Sequence, residues 1–474
     1  MKRLLISLTL ILLSAAAFSQ SVTGDWYGLL TVPTGQLPLI MHITKTDAGF
    51  AATLDSPDQK ALGIPMDKVT FADNKLAVSF AAGGLNYSGT FMPDSSKING
   101  TFQQGTGSFP LVLTREKQAA KPVEKPEDKI RPQDPKDFPY LQEDVVFTNP
   151  KAGDQLSGTI TMPADRKATK IVVLITGSGP QNRNEEFPQF NHRPFLVLSD
   201  WLTRNGIAVL RYDDRGTAKS TGDFKTATSA DFADDAEAAV NYIKSRSDLK
   251  KLSIGLIGHS EGGMIAPIVA GRNENVKFMV LLAGPGIPIA KLMVQQTEDV
   301  TRAGGGADSV IKGAVTGNEM IYSVITDNKE LSTAALKVKL DSALYDQFRT
   351  FRKGALGNLP IDQVVASTSA TVLKPWYRYF LAFNPADFLV KVKCPTLAIN
   401  GTLDTQVKCE PNLQAIRAAL TKAGNKNVEI VPLPGLNHMF QKAVTGSVPE
   451  YGQLTETVNP AALEKVSSWI NQLH

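Results

Sequence analysis

The residues of this 474-residue chain with the clearest chemical potential gather around Ser260, in Gly258-His259-Ser260-Glu261-Gly262-Gly263. The pattern is G-x-S-x-G. A serine hydroxyl becomes a working nucleophile when it stands clear of the backbone, meets a base, and has hydrogen-bond donors beside the oxyanion it creates. The apolar run 254–257 before it reads as one buried strand. Met264, Ile265 and Ile268 after it begin a helical apolar face. Strand, tight turn and helix would lift the Ser260 Oγ off the end of a sheet and aim the Glu261 N–H, at a helix N-terminus, where negative charge develops. Gly258 and Gly262 let strand and helix pass close together.

Such a nucleophile requires an acid, a base and a second oxyanion donor. Asn400-Gly401-Thr402-Leu403-Asp404 follows the apolar run 396–399, which puts Asp404 just past a strand end. Pro434-Gly435-Leu436-Asn437-His438 follows the run 428–433, so His438 lies in the next strand-to-helix loop. Serine, acid and histidine then occur in the chain order of a known hydrolase architecture. Of the five histidines, His438 alone has both place and order. His259, beside the nucleophile, reads as a packing residue. His192 precedes a helix and could face the mouth of a site, His42 alternates within a strand, and His474 is terminal. The loop Thr176-Gly177-Ser178-Gly179-Pro180-Gln181 follows the run 171–175. Its candidate oxyanion donor is the Ser178 N–H, because Pro180 has none. The chain has neither a P-loop lysine nor a G-x-G-x-x-G, and no histidine pair has metal-ligand spacing. The expectation is no metal and no cofactor.

The elements that must carry these residues follow from the rest of the chain. With 42% apolar and 20% charged residues and a net charge of +4, the composition is that of a soluble globular protein without a nucleic-acid-binding stripe. The length calls for more than one core. Lys2 and Arg3, the apolar run 4–13 and the segment 14–19, small except for Phe18, read as a signal peptide over 1–19. The run is shorter than the ~18 residues needed to span a bilayer. An exported protein, periplasmic or secreted, without stable membrane insertion after cleavage, is expected.

Residues 20–115 read as an all-β domain, a lipocalin-like barrel or sandwich. Its strands are at 25–32, 37–44, 49–54, 68–71, 75–80, 85–91, 98–103 and 109–114. Residues 116–139, rich in Lys, Glu and Pro, read as a semi-rigid solvated linker. From 140 to 474 apolar runs alternate with helical patterns, which means a mostly parallel sheet covered on both faces. Helical patterns replace the alternation over about 286–390, as a lid would. Near its end Trp376, Tyr377 and Phe380 are candidates for lining a substrate pocket. Cys394 and Cys409 flank a strand that would hold them roughly 20 Å apart, beyond the ~7 Å that a disulfide tolerates, so two free buried thiols are expected.

"LITGSGPQNRNE", "RYDDRG", "GHSEGG", "AINGTLDTQV" and "LPGLNHMFQ", in this order, resemble the α/β-hydrolase esterases of the EstD type, over most of residues 140–474. The resemblance implies an α/β-hydrolase fold, a small-molecule ester substrate, hydrolysis through an acyl-enzyme, and Ser260, Asp404 and His438 as the triad. The sequence departs from that pattern at Ala218, where a glycine is usual. Asp213, Asp214 and Arg215 read as braces of their loop. Two other readings stand beside this one: an exported serine peptidase on the same fold, and a ligand-binding β-domain with an inert hydrolase scaffold. The sequence carries no signal of oligomeric state.

Overall fold

The computed structural model describes residues 21–32, 35–47, 49–59, 61–80, 85–104, 107–117, 131–350 and 361–473. Residues 1–20, which hold the segment read as a signal peptide, residues 118–130 and His474 lie outside the described residues. The chain divides into two compact units, one holding the first nine strands and one the remaining elements.

The first unit is one antiparallel sheet of nine strands: β1 (Gly24–Val32), β2 (Gly35–Thr46), β3 (Gly49–Ser56), β4 (Ala61–Pro65), β5 (Lys68–Ala72), β6 (Lys75–Phe80), β7 (Leu85–Met92), β8 (Lys97–Gln104) and β9 (Gly107–Thr114). The order β4-β3-β2-β1-β9-β8-β7-β6-β5 makes a half-barrel in which β1 pairs with β9. The alternative of a two-sheet sandwich falls, and β4 is a strand that the turn-rich sequence 55–67 concealed. The concave face buries Trp26, Leu30, Met41, Ile43, Leu76, Tyr87, Ile98, Leu111 and Leu113. These alternate with exposed residues, as period-two patterning requires. Trp26 donates its indole N–H to the Val22 carbonyl at 2.7 Å and stacks under the Arg115 guanidinium at 3.8 Å.

The second unit is an eight-stranded sheet of β10 (Tyr140–Thr148), β11 (Gln155–Pro163), β12 (Lys170–Ile175), β13 (Ala208–Tyr212), β14 (Ser253–His259), β15 (Val276–Leu282), β16 (Thr396–Gly401) and β17 (Val428–Leu433). Its order is β10-β11-β13-β12-β14-β15-β16-β17, antiparallel only where β11 meets β10 and β13. Ile171, Val173 and Ile175 of β12 pack into one core with helices α2 (Ser229–Ser245), α3 (Gly262–Ala270) and α10 (Cys409–Lys422). Val172 and Leu174 pack into the other core, with α1 (Pro194–Arg204) and α11 (Pro460–Gln472). Burial on both faces explains why these strands are uninterrupted apolar runs.

Between β15 and β16 lie α4 (Ile289–Ala303), α5 (Asp308–Thr326), α6 (Thr333–Thr350), α7 (Ile361–Val372), α8 (Pro375–Ala382) and α9 (Ala386–Leu389). This insertion has its own core of Ile321, Tyr322, Ile325, Leu336, Leu340, Leu344 and Val365. Residues 131–139 differ from a solvated linker. Arg131 donates to the carbonyls of Phe190, Asn191 and Leu454, and Gln133 is hydrogen-bonded to Thr457 and Val458. The physical reason is that these loops present backbone groups which only an arriving side chain can pair. Both cysteines are free, and burial pushes each thiol up to about 11.

On the other face of the half-barrel, His42 bridges two carboxylates, with Nδ1 at 2.7 Å from Asp25 and Nε2 at 3.2 Å from Asp55. The Asp25 hydrogen bond raises the His42 pKa above 6.5; partial burial opposes this and Asp55 adds to it. A raised folded-state value means the stabilisation is complete below the unfolded value and is lost as pH rises through the folded one. The β unit should therefore lose thermal stability as pH rises above about 6.5, and His42→Gln should flatten that slope. Calorimetric melting temperatures across this range check it; an identical slope in the variant would remove His42 as its source.

Candidate active site

Ser260 occupies the turn between β14 and α3 at φ +52°, left-handed backbone that a residue with a Cβ seldom adopts. Its N–H donates to the Leu282 carbonyl of β15 at 2.9 Å, which pins the turn to the sheet. The helix leaves so tightly that a Cβ on Gly262 would stand 2.2 Å from the Ile175 carbonyl oxygen and 2.7 Å from that of Thr176. A side chain there is sterically impossible without moving β12. The next loop crosses directly over Ser260: a Cβ on Gly177 would lie 3.2 Å from the Ser260 Cβ. Among the described residues, the N–H groups of Ser178 and Glu261 donate to no protein group.

Asp404 and His438 are brought together by the ends of β16 and β17, neighbours in the sheet. His438 Nδ1 lies 2.8 Å from Asp404 Oδ2, and both side chains are buried. Asp404 Oδ1 accepts the N–H groups of Gln406 at 2.8 Å and Val407 at 2.9 Å, so the carboxylate is held at both oxygens. An acceptor-only carboxylate at Nδ1 makes that nitrogen the donor and leaves Nε2 free to accept a proton. Glu410, the nearby acid in sequence, is exposed at the start of α10 and bonds Gln414. Ser260 and His438 line one cavity of about 320 Å³ with Ser178 and Glu261. No hydrogen bond joins the Ser260 hydroxyl to the His438 ring among the described residues, an arrangement common where no substrate is bound.

Trp376 and Phe380 of α8 line the cavity, with rings stacked at 4.7 Å. Tyr377 does not. One position along a helix turns it away from residues 376 and 380, and it packs into the insertion's core near Tyr322. His192 does not face the mouth either. It is buried, with Nε2 2.9 Å from the Tyr451 carbonyl, and burial lowers its pKa to about 4. Asp214 does brace, and in a specific place: it accepts the Thr176 hydroxyl at 2.8 Å and the Gln181 N–H at 2.9 Å, fixing both ends of the loop over Ser260.

Glu185 has no sequence signal, yet it organises the floor of the site. Its Oε1 lies 2.7 Å from His259 Nδ1 and accepts the Gly177 N–H at 3.0 Å. His259 Nε2 lies 3.1 Å from the His438 carbonyl. Both ring nitrogens face acceptor oxygens, an arrangement that favours the protonated ring. Burial opposes that charge, but the charge and hydrogen bond of Glu185, the His438 carbonyl and the Asp404 charge together raise the pKa. The buried pair thus ties the loop over Ser260 to the backbone of His438.

A sheet in this order, with a serine turn after its central strand and an acid and a histidine after later strands, defines the fold. The chain has an α/β-hydrolase fold. The family described as serine aminopeptidase S33 matches residues 193–337, a stretch holding Ser260 but neither Asp404 nor His438. Esterase EstD of Thermotoga maritima is 24% identical over 318 residues, which cover 66% of this chain and 65% of that enzyme. The uncharacterized protein YfhR of Escherichia coli K12 is 32% identical over 162 residues, 33% of this chain and 50% of its own length. Among solved structures, an esterase of Pyrococcus furiosus aligns at 19% identity with a TM-score of 0.42, over 71% of this chain and 92% of its own. Est1E of Butyrivibrio proteoclasticus, with ferulic acid bound, aligns at 18% identity and a TM-score of 0.39, over 69% of this chain and 98% of its own.

Removing one partner of a buried ion pair leaves the other charge unpaired. Glu185→Gln should therefore cost about 3 kcal/mol of stability in the hydrolase unit and lower kcat at the same time. Urea unfolding together with ester turnover tests it. A variant as stable and as active as the parent would show the pair to be dispensable.

Proposed function

We propose that the chain hydrolyses carboxylic esters through an acyl-enzyme on Ser260. The observation carrying this reading is that a serine in a strained strand-to-helix turn shares one cavity with a histidine already oriented by a buried carboxylate. As Ser260 Oγ attacks the ester carbonyl, His438 Nε2 takes its proton. Asp404 holds the required tautomer and stabilises the imidazolium. The N–H groups of Glu261 and Ser178 receive the oxyanion. The alcohol leaves with the proton from His438, and water activated by the same ring releases the acid. The resemblance to EstD supports an ester substrate, and no metal or cofactor enters these steps. The leader reading makes the enzyme an exported one, which cell fractionation tests.

A second reading, cleavage of peptide bonds by the same residues, is favoured by the match to the serine aminopeptidase family. The same triad serves both reactions. Parallel assays on 4-nitrophenyl acetate and on aminoacyl 4-nitroanilides separate them.

Ser260→Ala should lower kcat on 4-nitrophenyl acetate by about 10⁶. Asp404→Asn should lower it by about 10⁴ through the wrong His438 tautomer, while Glu410→Gln leaves it nearly unchanged. Steady-state kinetics on folded variants decide the assignment. Substantial turnover in Ser260→Ala, or a larger loss from Glu410→Gln than from Asp404→Asn, overturns it.

A further inference from the structure

Helix α8 is fastened on two sides. Tyr377 packs into the insertion's core, and Arg378 donates to the Thr333 hydroxyl at 2.8 Å and to the Leu331 carbonyl at 2.9 Å. Those contacts stay within the insertion. Among the described residues, one side-chain hydrogen bond of α8 leaves it: the Trp376 indole N–H donates to Glu261 Oε1 at 2.9 Å. The same oxygen accepts the Ser229 hydroxyl, at the start of α2, at 2.6 Å. Glu261 and Ser229 are buried, so water does not compete for this oxygen and both bonds gain strength. Burial pushes the Glu261 pKa up, but a carboxyl group protonated on Oε2 still accepts at Oε1.

An indole anchored at its N–H and stacked on Phe380 at 4.7 Å loses the rotation that a free aromatic side chain keeps. Trp376 is therefore a fixed stop in the cavity wall. Its place relative to a substrate follows from the proposed chemistry. The Glu261 N–H receives the ester carbonyl oxygen, and the alcohol oxygen lies toward the His438 Nε2 that protonates it. The substituent left to face the insertion is the acyl group. The wall there is apolar, with Leu292, Met293 and Phe380 beside Trp376, and it offers an acyl chain hydrocarbon contact.

We propose that Trp376 sets the length of acyl chain that the cavity accepts, and that the Glu261 side chain is the positioning residue that holds it there, an assignment that rests on the reading of Ser260 as nucleophile. The two parts of Glu261 then have separate tasks. Its backbone N–H receives the oxyanion, and its carboxyl group fixes the wall. Because Glu261 adjoins Ser260 in the chain, the wall is set relative to the attacking oxygen itself.

The full-length protein is compared with its Glu261→Met, Glu261→Gln and Trp376→Ala variants on 4-nitrophenyl acetate and 4-nitrophenyl hexanoate. The quantity measured is the ratio of kcat/KM for acetate to that for hexanoate in one sample. A loss of folded protein lowers both values equally and leaves the ratio unchanged. Met has about the size of Glu but no oxygen to accept the indole, so the ratio should fall at least about tenfold. Trp376→Ala removes the stop and should lower it at least as far. Gln keeps an oxygen for Ser229 and Trp376, and its ratio should stay within about twofold of the parent. Hydrogen exchange in peptides covering 375–382, read against those of α1, should quicken in Glu261→Met and not in Glu261→Gln. An unchanged ratio in Glu261→Met or Trp376→Ala overturns the proposal, as does a Glu261→Gln ratio that falls as far as that of Glu261→Met. So does a Glu261→Met effect that appears between methyl and hexyl acetate in place of the acyl pair. If exchange responds as expected while the parent hydrolyses no ester, the anchoring of Trp376 by Glu261 stands and the acyl-transfer reading fails.

Discussion

The second unit depends on a turn that a serine would not adopt by itself. Left-handed backbone at a residue with a Cβ costs on the order of 1 kcal/mol or more and persists only where the surroundings overdetermine it. Here Leu282 accepts the Ser260 N–H, and Gly262 lies against the backbone of β12. The three strands involved, β12, β14 and β15, are central in the sheet and packed on both faces, so they cannot yield to relax the turn. That rigidity keeps the serine hydroxyl in the cavity.

Around this turn, four buried acids behave differently because their partners differ. Asp404 is held by two backbone N–H groups and faces His438. Glu185 makes an ion pair with His259. Asp214 is bound by a hydroxyl and an amide, and its burial keeps its pKa well above the ordinary carboxylate range. Glu261 has only neutral donors. Residue type alone would make these four equivalent. Their environments assign one to orienting a histidine, one to tying loops together and one to bracing a loop, and leave the fourth buried among neutral donors.

The insertion contributes to the site through a single short helix. In α8 residues 376 and 380, one helical turn apart, present aromatic rings to the cavity, while residue 377 belongs to the insertion's own core. Trp376 also reaches the buried Glu261, so the wall of the cavity and the turn that carries Ser260 share a hydrogen bond. Phe190 and Tyr451, whose rings meet edge to face at 5.8 Å, line another part of the cavity. Arg131, arriving from ahead of β10, holds the backbone of the loops that carry them.

The sequence by itself determined the strands of the second unit and the chain order of Ser260, Asp404 and His438. Strands buried on both faces have to be continuously apolar, and strand ends flanked by glycine leave few positions for reactive side chains. The helices α1 and α3 were legible to the residue, because Pro194 starts one and Gly262 the other. Only the tertiary structure decided what depends on contacts between residues far apart in the chain. Glu185 meets His259 across 74 residues, and Trp376 meets Glu261 across 115. The inward turn of Tyr377 and the docking of Arg131 belong to the same class, as does the half-barrel in place of a sandwich. A local pattern records which face of an element is apolar; it does not record which distant backbone or side chain will cover that face or satisfy a buried charge.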